Sequence, residues 1–90
     1  MAHSKSALKR VRQSLKRRDR NRARRSLARN SVRELREVVD GGKTDEVPAA
    51  LSAAYSALDT AAKQSAIHTR RADRTKRRLA ALAARSAAAS

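Results

Sequence analysis

Apolar residues recur along this chain at helical intervals and nowhere with the two-residue alternation of a strand. From Ser6 to Asp40 there is no Gly or Pro, and good helix formers dominate. The pattern predicts one unbroken helix there, about 50 Å long at roughly 1.5 Å per residue. Its second half carries Ala28, Val32, Leu35 and Val39 at helical spacing. Its first half has only the thin stripe Leu8, Val11 and Leu15, and beyond Leu15 the surface is arginine nearly all round. A helix that is polar on every side has no face to lay on a core, so this half either projects and binds something or frays.

Adjacent Gly41 and Gly42 read as a left-handed helix end followed by a turn. A second helix starts after them. Asp45 is the expected N-cap, which places Pro48 at the third helical position, where no intrahelical donor is required. With Thr44 as the cap, the proline ring would meet a carbonyl one turn back. Val47, Leu51, Ala54, Leu58, Ala61 and Ser65 alternate four and three apart, a seam that packs on neighbouring helices. A short connection over Ser65 to Thr69 leads to a third helix with Ala72, Thr75, Leu79 and Leu82 as its inner stripe, frayed from Ala87 to Ser90. Short links imply antiparallel neighbours. The expected fold is therefore all-α: a three-helix bundle with a long N-terminal helix extending beyond the bundle. Residues 1–90 are expected to form a single domain, with 1–33 a basic arm in the first part of helix 1 and 34–90 the bundle with its frayed tail.

Composition thins this core. The chain has no Phe, no Trp and a single Tyr, Tyr55, which lies beside the seam and is expected to pack there, partly buried, instead of stacking on a base. Much of the apolar content is Ala, which removes little area from water at about 25 cal/mol per Å². A domain of this size is marginal even with a full core, so help from a partner is expected.

Charge names the kind of partner. Lys and Arg number 23 against 8 Asp and Glu, a net +15. A compact monomer with that charge repels itself, and nucleic acid is the commonest remedy. Residues 1–33 hold 13 basic side chains and one acidic, Asp19; residues 34–66 hold three basic and six acidic; residues 67–90 hold seven basic and one acidic. The positive field thus belongs to two segments. In the arm, Lys9, Arg10, Arg12, Lys16, Arg17, Arg18, Arg20, Arg22, Arg24, Arg25 and Arg29 wrap all sides of the predicted helix. Like charges at i,i+3 and i,i+4 destabilise a helix by a few tenths of a kcal/mol per pair, a cost that phosphates on several sides would remove. The arm is expected to be partly disordered when free and to complete its helix on RNA. Between the cations, Ser4, Ser6, Gln13, Ser14, Asn21 and Ser26 are small hydrogen-bonders suited to phosphate or 2′-hydroxyl oxygens, or are ordinary helix surface. The second segment holds Arg70, Arg71, Arg74, Lys76, Arg77 and Arg78, of which Arg70, Arg74, Arg77 and Arg78 share one side of the third helix, opposite Leu79 and Leu82. His68, at its start, is either a turn-capping side chain or an RNA contact.

Nothing in the chain resembles a catalytic site, and no enzyme activity, metal, cofactor or small-molecule substrate is expected. His3 and His68 lie far apart without Cys or acidic neighbours at metal spacing. There is no Gly-rich phosphate loop or nucleophile elbow. Glu34, Glu37 and Asp40 form a row one turn apart, expected to pair with Arg33 and Arg36. With no Cys, there is no disulfide framework. No stretch has the length of a membrane span, and the basic N-terminus lacks the apolar run of a secretory signal, so a cytoplasmic location is the default.

The two basic segments also carry a family resemblance. Lys5-Ser6-Ala7-Leu8-Lys9-Arg10-Val11-Arg12-Gln13-Ser14 and Arg20-Asn21-Arg22-Ala23-Arg24-Arg25-Ser26 resemble the N-terminal signature of the bacterial small-subunit ribosomal protein S-twenty family. Ile67-His68-Thr69-Arg70-Arg71-Ala72-Asp73-Arg74, followed by Lys76-Arg77-Arg78-Leu79, resembles that family's segment opening the last helix. The resemblance implies a three-helix bundle whose long first helix is embedded in ribosomal RNA. It implies a structural role in subunit assembly, as a primary binder joining the 5′ domain of the small-subunit RNA to the long helix near its 3′ end. Carried over by position, Lys5, Ser6, Lys9, Arg10, Gln13, Ser14, Asn21, Arg24, Arg25 and Ser26 would touch RNA from the arm, and His68, Arg70, Arg71 and Arg74 from the third helix. The family commonly has Gly where this chain has Ser65, and a Lys-Asn pair where Thr69-Arg70 stands. The implied partners are small-subunit ribosomal RNA and the ribosome, with no membrane and no homo-oligomer.

Two other binding classes fit less well. Asn21-Arg22-Ala23 in a basic helix suggests a basic-zipper DNA contact, but that class needs several leucine heptads and Gly41-Gly42 ends the helix after about two. A membrane-active helix needs a broad apolar face with aromatic anchors, and the arm has neither.

Overall fold

The computed structural model describes residues 5–89, and they are almost entirely helical. Helix α1 spans Lys5–Asp40, a short 3-10 turn spans Thr44–Glu46, α2 spans Val47–Lys63 and α3 spans Thr69–Ala89. No strand occurs among the described residues. The fold is the expected all-α bundle with an over-long first helix.

Helix α1 runs its full expected length, arm included, because nothing in its sequence breaks it. It stops through the left-handed closure anticipated at the glycine pair. Gly42 has φ +71°, and the amide of Lys43 donates to the carbonyl of Val38 at 3.1 Å while that of Gly42 donates to Val39 at 3.1 Å. These two bonds satisfy carbonyls that the helix end would leave orphaned.

The start of α2 differs from expectation. Glu46, not Asp45, is its N-cap residue, no side-chain cap bond forms, and Pro48 falls at the second helical position. The reason is the 3-10 turn. The amides of Thr44 and Glu46 donate at 3.0 Å to the carbonyls of Gly42 and Lys43, and that of Val47 donates to Thr44. Backbone acceptors thus take donors that a capping carboxylate would have served.

The seam of α2 also ends sooner than its spacing suggests. Val47, Ala54, Leu58 and Ala61 are buried and Leu51 is half-buried, but Ser65 is exposed and has φ +60°. Ser65 is the left-handed residue of a second closure, with its own amide bonded to Ala62 at 3.0 Å and that of Ala66 bonded to Ala61 at 2.8 Å. Ala57 and Ala66 join the core in its place.

Helix α2 lies in the middle, packing against α1 on one side and α3 on the other, while α1 and α3 touch sparsely. Among the described residues ten apolar side chains are buried, of which six are alanine, and the only large ones fully enclosed are Leu35 and Leu79. The core is as thin as the composition implied. On α3, Ala72 and Leu79 are buried and Thr75 and Leu82 half-buried, and the helix runs to Ala89. Ser90 lies outside the described residues.

Dimensions of 67 × 21 × 14 Å and a radius of gyration of 17.8 Å contrast with roughly 12 Å for a compact chain of this length. The excess is the arm. The first buried residue of α1 is Ala28, and apart from half-buried Ala7 every residue from Lys5 to Arg20 is exposed. Leu8, Val11 and Leu15 are 51%, 57% and 52% exposed, so the thin apolar stripe takes no part in the core formed by the described residues.

Candidate nucleic-acid interface

Helix geometry distributes the arm's cations. At about 100° per residue, consecutive Lys16, Arg17 and Arg18 point in three directions around the axis. Lys5, Ser6, Lys9, Arg10, Arg12, Gln13, Ser14, Lys16, Arg17, Arg18, Arg20, Arg22, Ser26 and Arg29 are all exposed, whereas Asn21, Arg24 and Arg25 are half-buried where the arm enters the bundle. His3 and Ser4 lie outside the described residues.

Arg25 is where the arm is tied down. Its guanidinium donates to the carbonyl of Ala66 at 3.3 Å, linking α1 to the turn between α2 and α3. A guanidinium has five N–H donors, so this bond leaves others available.

The third helix presents Arg70, Arg71, Arg74, Arg77 and Arg78 to solvent. Arg70, Arg74, Arg77 and Arg78 line one shallow groove, as their spacing anticipated, with Asp73 also on its wall. His68 fills a capping role. It immediately precedes α3, and its Nδ1 accepts from the backbone N–H of Arg70 at 3.1 Å. This satisfies one of the helix's orphan donors and leaves Nε2 on an exposed ring.

Lys76 is turned the other way. Its Nζ donates to the Asp59 carboxylate at 2.9 Å and lies 5.3 Å from the centre of the Tyr55 ring, and the Tyr55 hydroxyl donates to the Lys76 carbonyl at 3.3 Å. Tyr55 is half-buried in the α2–α3 contact, as its place beside the seam implied. The hydrogen bond to Asp59 holds the Lys76 ammonium above the usual lysine range. That ion pair is the only one among the described residues, so Glu34, Glu37 and Asp40 do not form the expected pairs with Arg33 and Arg36. Those side chains are exposed, where an ion pair gains too little to fix two long side chains.

Arg25, Arg29 and Arg71 converge from two helices on one cleft. Among the described residues no group of His, Cys, Asp and Glu has the arrangement of a metal site, and no helix is long and apolar enough to cross a membrane.

The family model for ribosomal protein S20 matches residues 2–84, nearly the whole chain. The chain belongs to the ribosomal protein S20 family. This is the S-twenty family whose signatures the arm and the third helix carry, and it is a family of ribosomal structural components, not enzymes. Among its relatives, the small ribosomal subunit protein bS20 of Maridesulfovibrio salexigens is 47% identical over 81 residues, 90% of this chain and 93% of the relative. Those of Desulfovibrio desulfuricans and Geobacter sulfurreducens are each 42% identical, over 89% and 91% of this chain and 90% and 94% of the relatives.

For this S20-family chain, sequence reasoning had not separated the cations the bundle engages from those it leaves free. Arg25 is three residues before buried Ala28 and seven before Val32, on the packed face of α1, and that spacing is the signal that marks it.

Proposed function

We propose that this chain is a structural component of the small ribosomal subunit, in the cytoplasm, that binds small-subunit ribosomal RNA directly through the arm of α1 and supports subunit assembly. The arginines of α3 add a second phosphate surface. One observation carries the reading: a helix segment with cations on every side, eight basic residues to one acidic over residues 5–20, stands clear of the bundle. A partner that touches only one face would leave most of that charge unmatched. Folded RNA offers phosphates on several sides of an inserted helix, and arginine forks match them bidentately.

The mechanism is electrostatic. Neutralising phosphates releases condensed counterions, and that gain offsets the cost of bringing many like charges into one helix. Helicity in the arm rises on binding, because phosphates remove the repulsion between neighbouring turns. The bundle then acts as a small platform that fixes where the arm starts. Residues 1–90 work as one unit, with 1–33 as the binding arm.

Salt dependence tests the idea. If about eight phosphates are neutralised, affinity of the full chain for small-subunit ribosomal RNA falls with a log–log slope on the order of −6 to −7. Replacing Lys16, Arg17 and Arg18 together by Gln reduces that slope by about two to three. A slope near −1 in the unmodified protein, or equal affinity for duplex DNA, rejects the proposal.

A further inference from the structure

The cleft where Arg25, Arg29 and Arg71 meet has a composition that phosphate binding alone does not explain. It is a cavity of about 340 Å³, lined besides the arginines by Ala28 and Val32 of α1, Leu58 of α2, Ile67 of the α2–α3 turn and Thr75 of α3, and the four apolar side chains are taken as its floor. That volume falls in the range of small-ligand sites, about 300–1,000 Å³. No carboxylate lines it. Three guanidiniums around one opening repel each other unless an anion joins them. A bare phosphate would answer the charge but would gain nothing from an aliphatic floor.

We propose that this cleft takes a single unstacked nucleotide of the bound RNA, with its base on the apolar floor and its phosphate on the guanidinium rim. The inference rests on the RNA-binding reading above and names a place where RNA is held by more than its backbone charge. Arg25 is already positioned for the task, because its bond to the Ala66 carbonyl fixes a planar cation at the mouth. A guanidinium plane held this way stacks on a base or forks to a phosphate without first losing its freedom. The lining as a whole draws on all three helices, with Arg71 and Thr75 from α3, so the cleft exists only when the bundle is folded. A partner protein's acidic side chain would answer the charge through one carboxylate but would leave the floor unfilled.

The test is a titration of the full-length protein, followed through the methyl resonances of Val32, Leu58 and Ile67. The probes are adenosine 5′-monophosphate, adenosine and inorganic phosphate, each carried to about 10 mM, which reaches sites of millimolar affinity. Adenosine monophosphate is expected to shift the three methyl groups with saturation. Adenosine binds about tenfold more weakly, having lost its charge-assisted hydrogen bonds. Inorganic phosphate leaves the methyl groups unmoved. Arg71→Gln, on the exposed side of α3, weakens the nucleotide by about tenfold. Methyl groups that ignore the nucleotide, shifts reproduced by inorganic phosphate, or an Arg71→Gln protein that binds as well as the original would each overturn the proposal. RNA binding that stays steeply salt-dependent alongside any of these results would confine the failure to the cleft. Flat salt dependence would instead remove the parent reading.

Discussion

Replacing Ser65 by glycine is expected to raise the stability of this protein. Ser65 has φ +60°, closing α2 in the left-handed region, and its side chain is exposed. A non-glycine L-residue there is strained by about 1–2 kcal/mol, because its Cβ crowds the following carbonyl. Glycine removes that strain but gives the unfolded chain more freedom, a loss of about 0.5–1 kcal/mol. The difference favours glycine by about 0.7 kcal/mol. In a domain this small, where about 1 kcal/mol moves the midpoint by 4–8 °C, the expected gain in Tm is about 3–6 °C. Tyr55 makes the assay simple. It is the sole aromatic residue, and its hydroxyl bonds to the Lys76 carbonyl at 3.3 Å across the α2–α3 contact. Its fluorescence therefore follows bundle unfolding without the background of the arm. Ser65→Val, β-branched and still less tolerant of this conformation, should lower Tm in the same assay. A Ser65→Gly protein that melts at or below the original, together with a Val variant that melts unchanged, would show that Ser65 is not left-handed in solution.

Three further outcomes are expected. Leu79→Ala deletes one of the two large, fully enclosed side chains among the described residues, at a cost of about 2–5 kcal/mol, and should lower Tm by at least about 8 °C; an unchanged melt would mean the site is not packed. Asp59→Asn removes the carboxylate that raises the Lys76 pKa. Because the folded-state pKa is the raised one, the pair stabilises below the ordinary lysine range and its contribution is lost as pH climbs through the folded value, so melts between about pH 9 and 12 should fall more steeply in the original than in the variant. Arg25→Ala breaks the tie to Ala66, which should cost roughly 0.5–1.5 kcal/mol in urea unfolding and, if its remaining donors meet phosphate, should lessen the RNA salt slope by about one.

Helix α1 was legible because nothing between Ser6 and Asp40 interrupts it and a glycine pair ends it, so local chemistry and tertiary structure agree there. The first turn of α2 was not legible, because its donors are met by carbonyls of a 3-10 turn. No side chain advertises that backbone solution. Ser65 fits the four-and-three spacing numerically, yet the chain has already left the helix. A serine carries no hint of positive φ, so only the resemblance to a family with glycine there pointed to it. The candidate interface divides the same way. Which residues are cationic is plain in the sequence. That Lys76 faces Asp59 and Arg25 grips a turn depends on which face of each helix meets the bundle, which a run of charges conceals.

Arm and bundle share one continuous helix, with no glycine or proline between them to act as a joint. The tip at Lys5 lies 23 residues from Ala28, about 35 Å along the axis. A tilt of roughly 10° at that seat swings the tip by about 6 Å, comparable to one full helical turn. The aim of the arm is therefore set far from its charges, by the small side chain at Ala28 and the neighbours it rests on. A bulkier residue there would misdirect the whole lever while leaving every cation in place.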